Sequence, residues 1–277
     1  TLHPARHMFL PPQPPHRMNH APRIHLQGRP LGDGDLPLII TPLVGRTAAA
    51  IADELAAIVP KRPDLLEWRI DFFEAIGDAQ VVVDTALAIR AAAGGIPVLL
   101  TRRNATEGGQ PLAIGEPAVV AMYEAACRAR CVELIDYELS NAPDDLAHLR
   151  RVSREHGIAM VMSYHNFQRT PPAAELQDRF AQAQALGADV GKVAVMPQDP
   201  ADVLTLLGAT LQARRELTIP LISMSMGGVG STSRLMGWIY GSAATFAVGK
   251  SSSAPGQIGI DELRAVLATL RQSVLGR

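Results

Sequence analysis

A rhythm constrains this chain more than any single residue does. From Pro37 onward, short apolar segments rich in Val, Ile and Leu alternate with longer Ala-rich amphipathic ones, eight of each. The periodicity predicts strands over Pro37–Val44, Leu65–Phe72, Pro97–Arg102, Val132–Leu139, Ile158–Tyr164, Asp189–Pro197, Pro220–Met226 and Ala243–Val248. Between and after them it predicts helices over Thr47–Val59, Ala79–Ala93, Glu116–Ala129, Asp144–His156, Ala173–Leu186, Asp199–Arg215, Ser231–Tyr240 and Ile260–Leu275. Strict alternation demands parallel strands with right-handed crossovers, and eight such units close a cylinder. A doubly wound open sheet is the competing architecture, but no glycine-rich dinucleotide fingerprint follows the first strand. The expected fold is therefore α/β, a (β/α)8 TIM barrel forming one catalytic domain over residues 24–277. A short hairpin through Leu31–Asp35 is expected before it, covering the bottom of the barrel. Residues 1–23, rich in Pro and His, read as a flexible arm.

Composition agrees with an enzyme of that size. The 277 residues, 47% of them hydrophobic, can bury a large core. A net charge of -1 leaves no electrostatic footprint for nucleic acid or an anionic membrane. No apolar run approaches the roughly 18 residues of a membrane span, and the arm lacks the apolar centre of a secretory signal. Cys127 and Cys131, four apart in a helical stretch, read as buried thiols suited to a reducing cytoplasm. His3, His7, His16, His20 and His25 recur without the spacing of a metal tract.

Barrel chemistry sits at the C-terminal ends of the strands, and the polar residues gather there. Lys192 lies inside the apolar run Asp189–Pro197, where an ammonium ion is costly to hold and burial favours the neutral, nucleophilic amine. Pairing with a carboxylate, or reaching water along its stem, is the plainer alternative. Period two puts Glu67, Arg69 and Asp71 on one inward face, and Asp136 and Glu138 on another. Arg103 and Glu107 mark the rim after the third strand, His165 ends the fifth, Met224 and Met226 end the seventh, and Ser251–Gln257 follows the eighth. Singly, each could be a buried ion pair, a rim histidine or core filler. Together at one barrel mouth they point to a reaction site.

The motifs then become recognisable. Glu67-Trp-Arg-Ile-Asp71, Thr101-x-Arg103-x-x-x-Glu107-Gly-Gly109, Ser163-Tyr-His165-Asn-Phe-x-x-Thr-Pro171, Lys192-Val-Ala-Val-Met-Pro197 and Ser253-Ala-Pro-Gly-Gln257 resemble type I 3-dehydroquinate dehydratase. Gly230-Ser-Thr-Ser-Arg234 and Gly241-Ser-Ala-Ala-Thr-Phe246 fit the same pattern. The resemblance implies a dimeric barrel without cofactor or metal, converting 3-dehydroquinate to 3-dehydroshikimate in the shikimate pathway. It implies that Lys192 forms the Schiff base, that His165 is the general acid and base, and that Glu107 supports the histidine, with Asp136 a further acidic partner. Glu67, Arg69 and Arg103 would grip the ring hydroxyls. Arg234, Ser253 and Gln257 would contact the carboxylate and the closing loop, and Met224 and Met226 would form an apolar wall. Asn166 stands where the family commonly has Asp, which removes a charge beside the histidine. A class I aldolase on the same barrel is the rival enzyme; a quinate-binding barrel without turnover is the rival binding protein.

Overall fold

The computed structural model describes residues 24–26, 29–31 and 36–276. The expected arm over 1–23 and the expected turn at 32–35 lie outside the described residues. Eight buried strands form the frame: β1 Leu38–Leu43, β2 Leu65–Arg69, β3 Val98–Thr101, β4 Leu134–Glu138, β5 Ala159–Asn166, β6 Val190–Val195, β7 Leu221–Ser225 and β8 Ala244–Val248. Each pairs in parallel with the next from β1 to β7, and β8 returns beside β1 with Phe246 opposite Ile40. β7 and β8 meet through one parallel bridge, Leu221 to Ser242, beside which the Ala243 amide donates to the Leu221 carbonyl at 2.7 Å. That contact closes the ring.

The crossover helices are α1 Ala48–Ile58, α2 Ala79–Ala92, α3 Glu116–Ala129, α4 Pro143–His156, α5 Ala173–Ala185, α6 Pro200–Glu216, α7 Gly227–Met236 and α8 Ile260–Leu275. Thr47, Asp78 and Asp199 accept amides of the first turns of α1, α2 and α6, satisfying donors that have no partner within the helix. The barrel expected from the rhythm is thus the barrel formed, with local shifts. α7 starts four residues before the predicted Ser231, because the glycine-rich run doubles straight back on β7. A Cβ on Gly230 would lie 2.4 Å from the Ser225 carbonyl carbon, so only glycine allows that approach. The predicted strand Leu65–Phe72 stops at Arg69, and Ile70–Phe72 forms a 3-10 turn that carries Asp71.

Strand alternation divides the core in two. Outward residues such as Leu66, Trp68, Ile135 and Tyr137 pack against Ile51, Val82, Tyr123 and Phe180 of the helices. Inward residues Leu38, Leu65, Leu99, Leu134, Val161 and Val190 fill the lower barrel. Before β1, His25–Leu26 pairs antiparallel with Arg29–Pro30. Leu26 and Leu31 are buried in the same inner cluster, and so plug the bottom. Leu26→Ala is expected to lower stability by about 2–4 kcal/mol in urea denaturation, because the plug cannot collapse onto a fixed ring of strands. An unchanged midpoint would mean that the hairpin merely rests on the barrel.

Candidate active site

In an eight-stranded barrel, side chains from alternate strands meet in layers. Above Leu65, Leu134, Val190 and Ala244, the next inward residues of the even strands are Glu67, Asp136, Lys192 and Phe246. Three of these are charged, and they meet. Lys192 Nζ lies 3.0 Å from Asp136 Oδ2, 3.4 Å from Glu67 Oε1 and 4.8 Å from the Phe246 ring centroid. The carboxylate pairing raised as the plainer alternative for Lys192 is therefore present. Lys192 nevertheless borders the cavity at the barrel mouth.

The odd strands supply the groups that make these charges tolerable. Thr101 donates to Glu67 at 3.0 Å, and the Ser163 hydroxyl donates to Asp136 at 2.6 Å. Arg103, just past β3, turns inward and binds Asp136 at 3.0 Å, Glu138 at 3.1 Å and Ser163 at 2.8 Å. This charge holds the Asp136 carboxyl well below the ordinary range despite complete burial, with Lys192 adding to the effect. Asp136 has no hydrogen bond to His165; it acts on the histidine through space. Asp71 grips Arg69 with both oxygens, each at 2.8 Å, and accepts the Gln110 amide at 3.1 Å.

Glu107 and His165 form a second unit at the rim. Glu107 Oε2 accepts the His165 main-chain amide at 2.9 Å and lies 3.1 Å from its Nδ1. The turn that presents Glu107 needs Gly109, where a Cβ would lie 1.9 Å from the Arg103 carbonyl oxygen. Burial pushes the Glu107 carboxyl up to about 7. Burial also drives the His165 imidazole well below its usual value, and Arg103 and Lys192 push it the same way. The ring is therefore neutral at pH 7. With Nδ1 turned to Glu107, Nε2 is the nitrogen left for a ligand.

Glu67, Arg69, Arg103, Glu107, His165, Lys192, Met224, Met226, Ser253 and Gln257 all border one cavity at the barrel mouth. Asp136 and Arg234 do not border it. Asp136 lies beneath Lys192. The Arg234 guanidinium donates to the Pro255 carbonyl at 3.0 Å and touches Met224 Sδ at 3.8 Å. Arg234 is 1% exposed, burial lowers its guanidinium to about 10, and no carboxylate among the described residues pairs with it. The 251–257 segment closes the mouth: Ser253 offers its carbonyl to Arg69 at 3.3 Å, and Gln257 bonds the Ser253 hydroxyl and amide. Asn166 faces away, capping the Gln168 and Arg169 amides and reaching the Tyr164 hydroxyl.

Sequence reasoning missed Phe246, Phe167 and Ala194 in the cavity wall and Ser163 beneath it. Phe246 and Ser163 carry the same period-two signal as Lys192 and were legible from it. Phe167 was not, since it packs over Gly108 through loop contacts. The buried Arg69–Asp71 pair gives a direct test of the scaffold. Asp71→Ala strands a buried guanidinium and is expected to cost about 3–5 kcal/mol in urea denaturation, with Asp71→Asn falling between it and the parent. Parent-like stability in Asp71→Ala would show that the Ser253 carbonyl suffices to hold Arg69.

Comparison with known proteins agrees with this geometry. The family model described as type I 3-dehydroquinase matches residues 39–274. The 3-dehydroquinate dehydratase of Albidiferax ferrireducens is 51% identical over 257 residues, which is 93% of this chain and 97% of that protein. The crystal structure of 3-dehydroquinate dehydratase from Geobacillus kaustophilus HTA426 superposes with a TM-score of 0.89 at 47% identity, covering 92% of this chain and 98% of that one. A type I enzyme from Clostridium difficile, solved with covalently modified comenic acid, gives 0.87 at 35% identity over 91% and 99% of the two chains. With matches of this extent, the chain belongs to the type I 3-dehydroquinase family.

Proposed function

We propose that this protein dehydrates 3-dehydroquinate to 3-dehydroshikimate through a Schiff base on Lys192. The observation that carries the reading is the convergence of one lysine amine and one neutral imidazole on a single cavity. The register supports it: Ser163 lies opposite Lys192, so His165, two residues on, shares that inner face one step nearer the mouth.

Attack requires Lys192 as the free amine, so its ion pair with Asp136 must give up a proton first. His165 Nε2 is the base available in the cavity. The amine then adds to the C3 carbonyl, and the proton taken up by His165 passes to the departing hydroxyl, so loss of water leaves a protonated imine and a neutral imidazole. That imine withdraws electrons from C2, and His165 removes the C2 proton to give an enamine. The enamine expels the C1 hydroxyl, which leaves as water with the proton held by His165. Addition of water to the imine releases product and Lys192, so the net change is loss of one water. One histidine serving both proton transfers calls for syn elimination. Glu67, Arg69 and Arg103 are placed to bind ring hydroxyls. Arg234 supplies a buried cation in want of an anion, and its planar fork suits the substrate carboxylate once the Pro255 carbonyl yields. Segment 251–257 excludes water during the imine stage.

Residues 24–277 would act as one catalytic domain. The family resemblance further supports a homodimer and a place in the shikimate pathway, and the buried thiols Cys127 and Cys131 suit the cytoplasm. No helix among the described residues is long and apolar enough to cross a membrane.

Two outcomes are expected. Borohydride added with 3-dehydroquinate should trap an adduct on Lys192, seen by mass spectrometry. Lys192→Ala should give no adduct, while His165→Ala should form it slowly and lose turnover by about a thousandfold; an adduct on another lysine sinks the assignment. The second concerns pH. The working base is the pair with Glu107 charged and His165 neutral, and the first proton to enter that pair does so at about 7. Activity is therefore present above that value and lost as pH falls through it. A kcat/KM profile flat down to about pH 5 would remove Glu107 from the proton unit.

A further inference from the structure

Glu107 uses both oxygens, and one of its partners has no place in the chemistry above. Oε2 serves the His165 main-chain amide and Nδ1, whereas Oε1 accepts the Ser140 hydroxyl at 2.5 Å. Ser140 lies two residues past β4, is exposed, and does not border the cavity. We propose that Ser140 is a positioning residue: its hydroxyl locks the Glu107 carboxylate as an acceptor toward His165, and so fixes which imidazole nitrogen carries the proton.

The argument turns on what a proton on Glu107 would do. A neutral carboxyl would donate to Nδ1, and the ring would then carry its hydrogen on Nε2. That nitrogen faces the cavity, so the base for C2 would be lost. Burial favours this unwanted form, and Glu138 at the end of β4 favours it too. Opposing them are the Ser140 hydroxyl, Arg103 beyond β3 and the His165 amide on β5. Among these, Ser140 exerts the largest effect and is the one group with no other bond to make in the site. Arg103 is already shared among Asp136, Glu138 and Ser163. A donor on Oε1 stabilises the charged form more than the neutral one, which makes the hydroxyl a selector of tautomer.

The test compares the parent with Ser140→Ala and Ser140→Thr across pH. Because Ser140 is exposed, the alanine variant retains the fold. Its acid limb in kcat is expected to move up by about one pH unit, so turnover near pH 6 falls about tenfold and returns to the parent level above about pH 9. KM stays within about twofold, and Ser140→Thr, which keeps the hydroxyl, keeps the parent profile. An unmoved limb in Ser140→Ala, or a loss equal at every pH, overturns the proposal. It rests on His165 being the base, and the two fail differently. A normal borohydride adduct with an unmoved limb rejects Ser140 alone, whereas a parent enzyme giving neither adduct nor conjugated enone rejects the underlying reaction.

Discussion

The ion pair between Lys192 and Asp136, 3.0 Å apart and almost wholly out of water, is the contact to which the rest of the barrel interior answers. Charges in a protein interior lose several kcal/mol of hydration each, and a well-packed apolar layer at the same height would cost nothing of the kind. The chain bears that loss by matching charges. Arg69, Arg102, Arg103 and Lys192 sit among Glu67, Asp71, Asp136 and Glu138, all of them buried. Hydroxyls of Thr101 and Ser163 occupy lone pairs left over. Around this, two apolar cores do the folding: Leu and Val below the charged layer, and the helix-facing residues outside it. The electrostatic arrangement is thus held by a scaffold that does not depend on it.

Matching also separates two kinds of charge. Those in the lower network are fixed by direct partners, as the strongly depressed Asp136 carboxyl indicates. Glu107 and His165 at the rim bond each other, with the Ser140 hydroxyl on the acid's other oxygen, and burial moves the acid up to about 7 and the imidazole down. A site that must take up a proton and return it within one turnover needs such a pair, set apart from charges that must not change.

Much of this was written in residue spacing. Eight repeats of strand and helix led to the barrel, and period two along the second and fourth strands put Glu67, Arg69 and Asp136 on inward faces. What period two cannot give is height. The stagger between neighbouring strands decides which inward residues share a layer, and it set Lys192 against Asp136 and Glu67 in particular. It likewise left Asp136 bonded to Lys192 with no bond to His165. Turn geometry is the other blind spot. Asp71 was read as part of a strand, yet it reaches Arg69 from a 3-10 turn. Ser140 belongs to a loop whose course depends on how β4 hands over to α4, and nothing in Glu-Leu-Ser-Asn announces its bond to Glu107.

The closure between β7 and β8 carries one more implication. Seven of the eight junctions are continuous ladders, but here one bridge, Leu221 to Ser242, joins the ends, with the Ser242 hydroxyl bonding the Ser223 main chain beside it. Of the eight seams of the cylinder, this one has the fewest strand-to-strand bonds. Met224 and Met226 line one lip and Phe246 the other, beside the root of the closing segment. Elastic opening would therefore concentrate on the apolar flank of the cavity, leaving the charged flank from β2 to β6 undeformed while a ring-shaped guest enters.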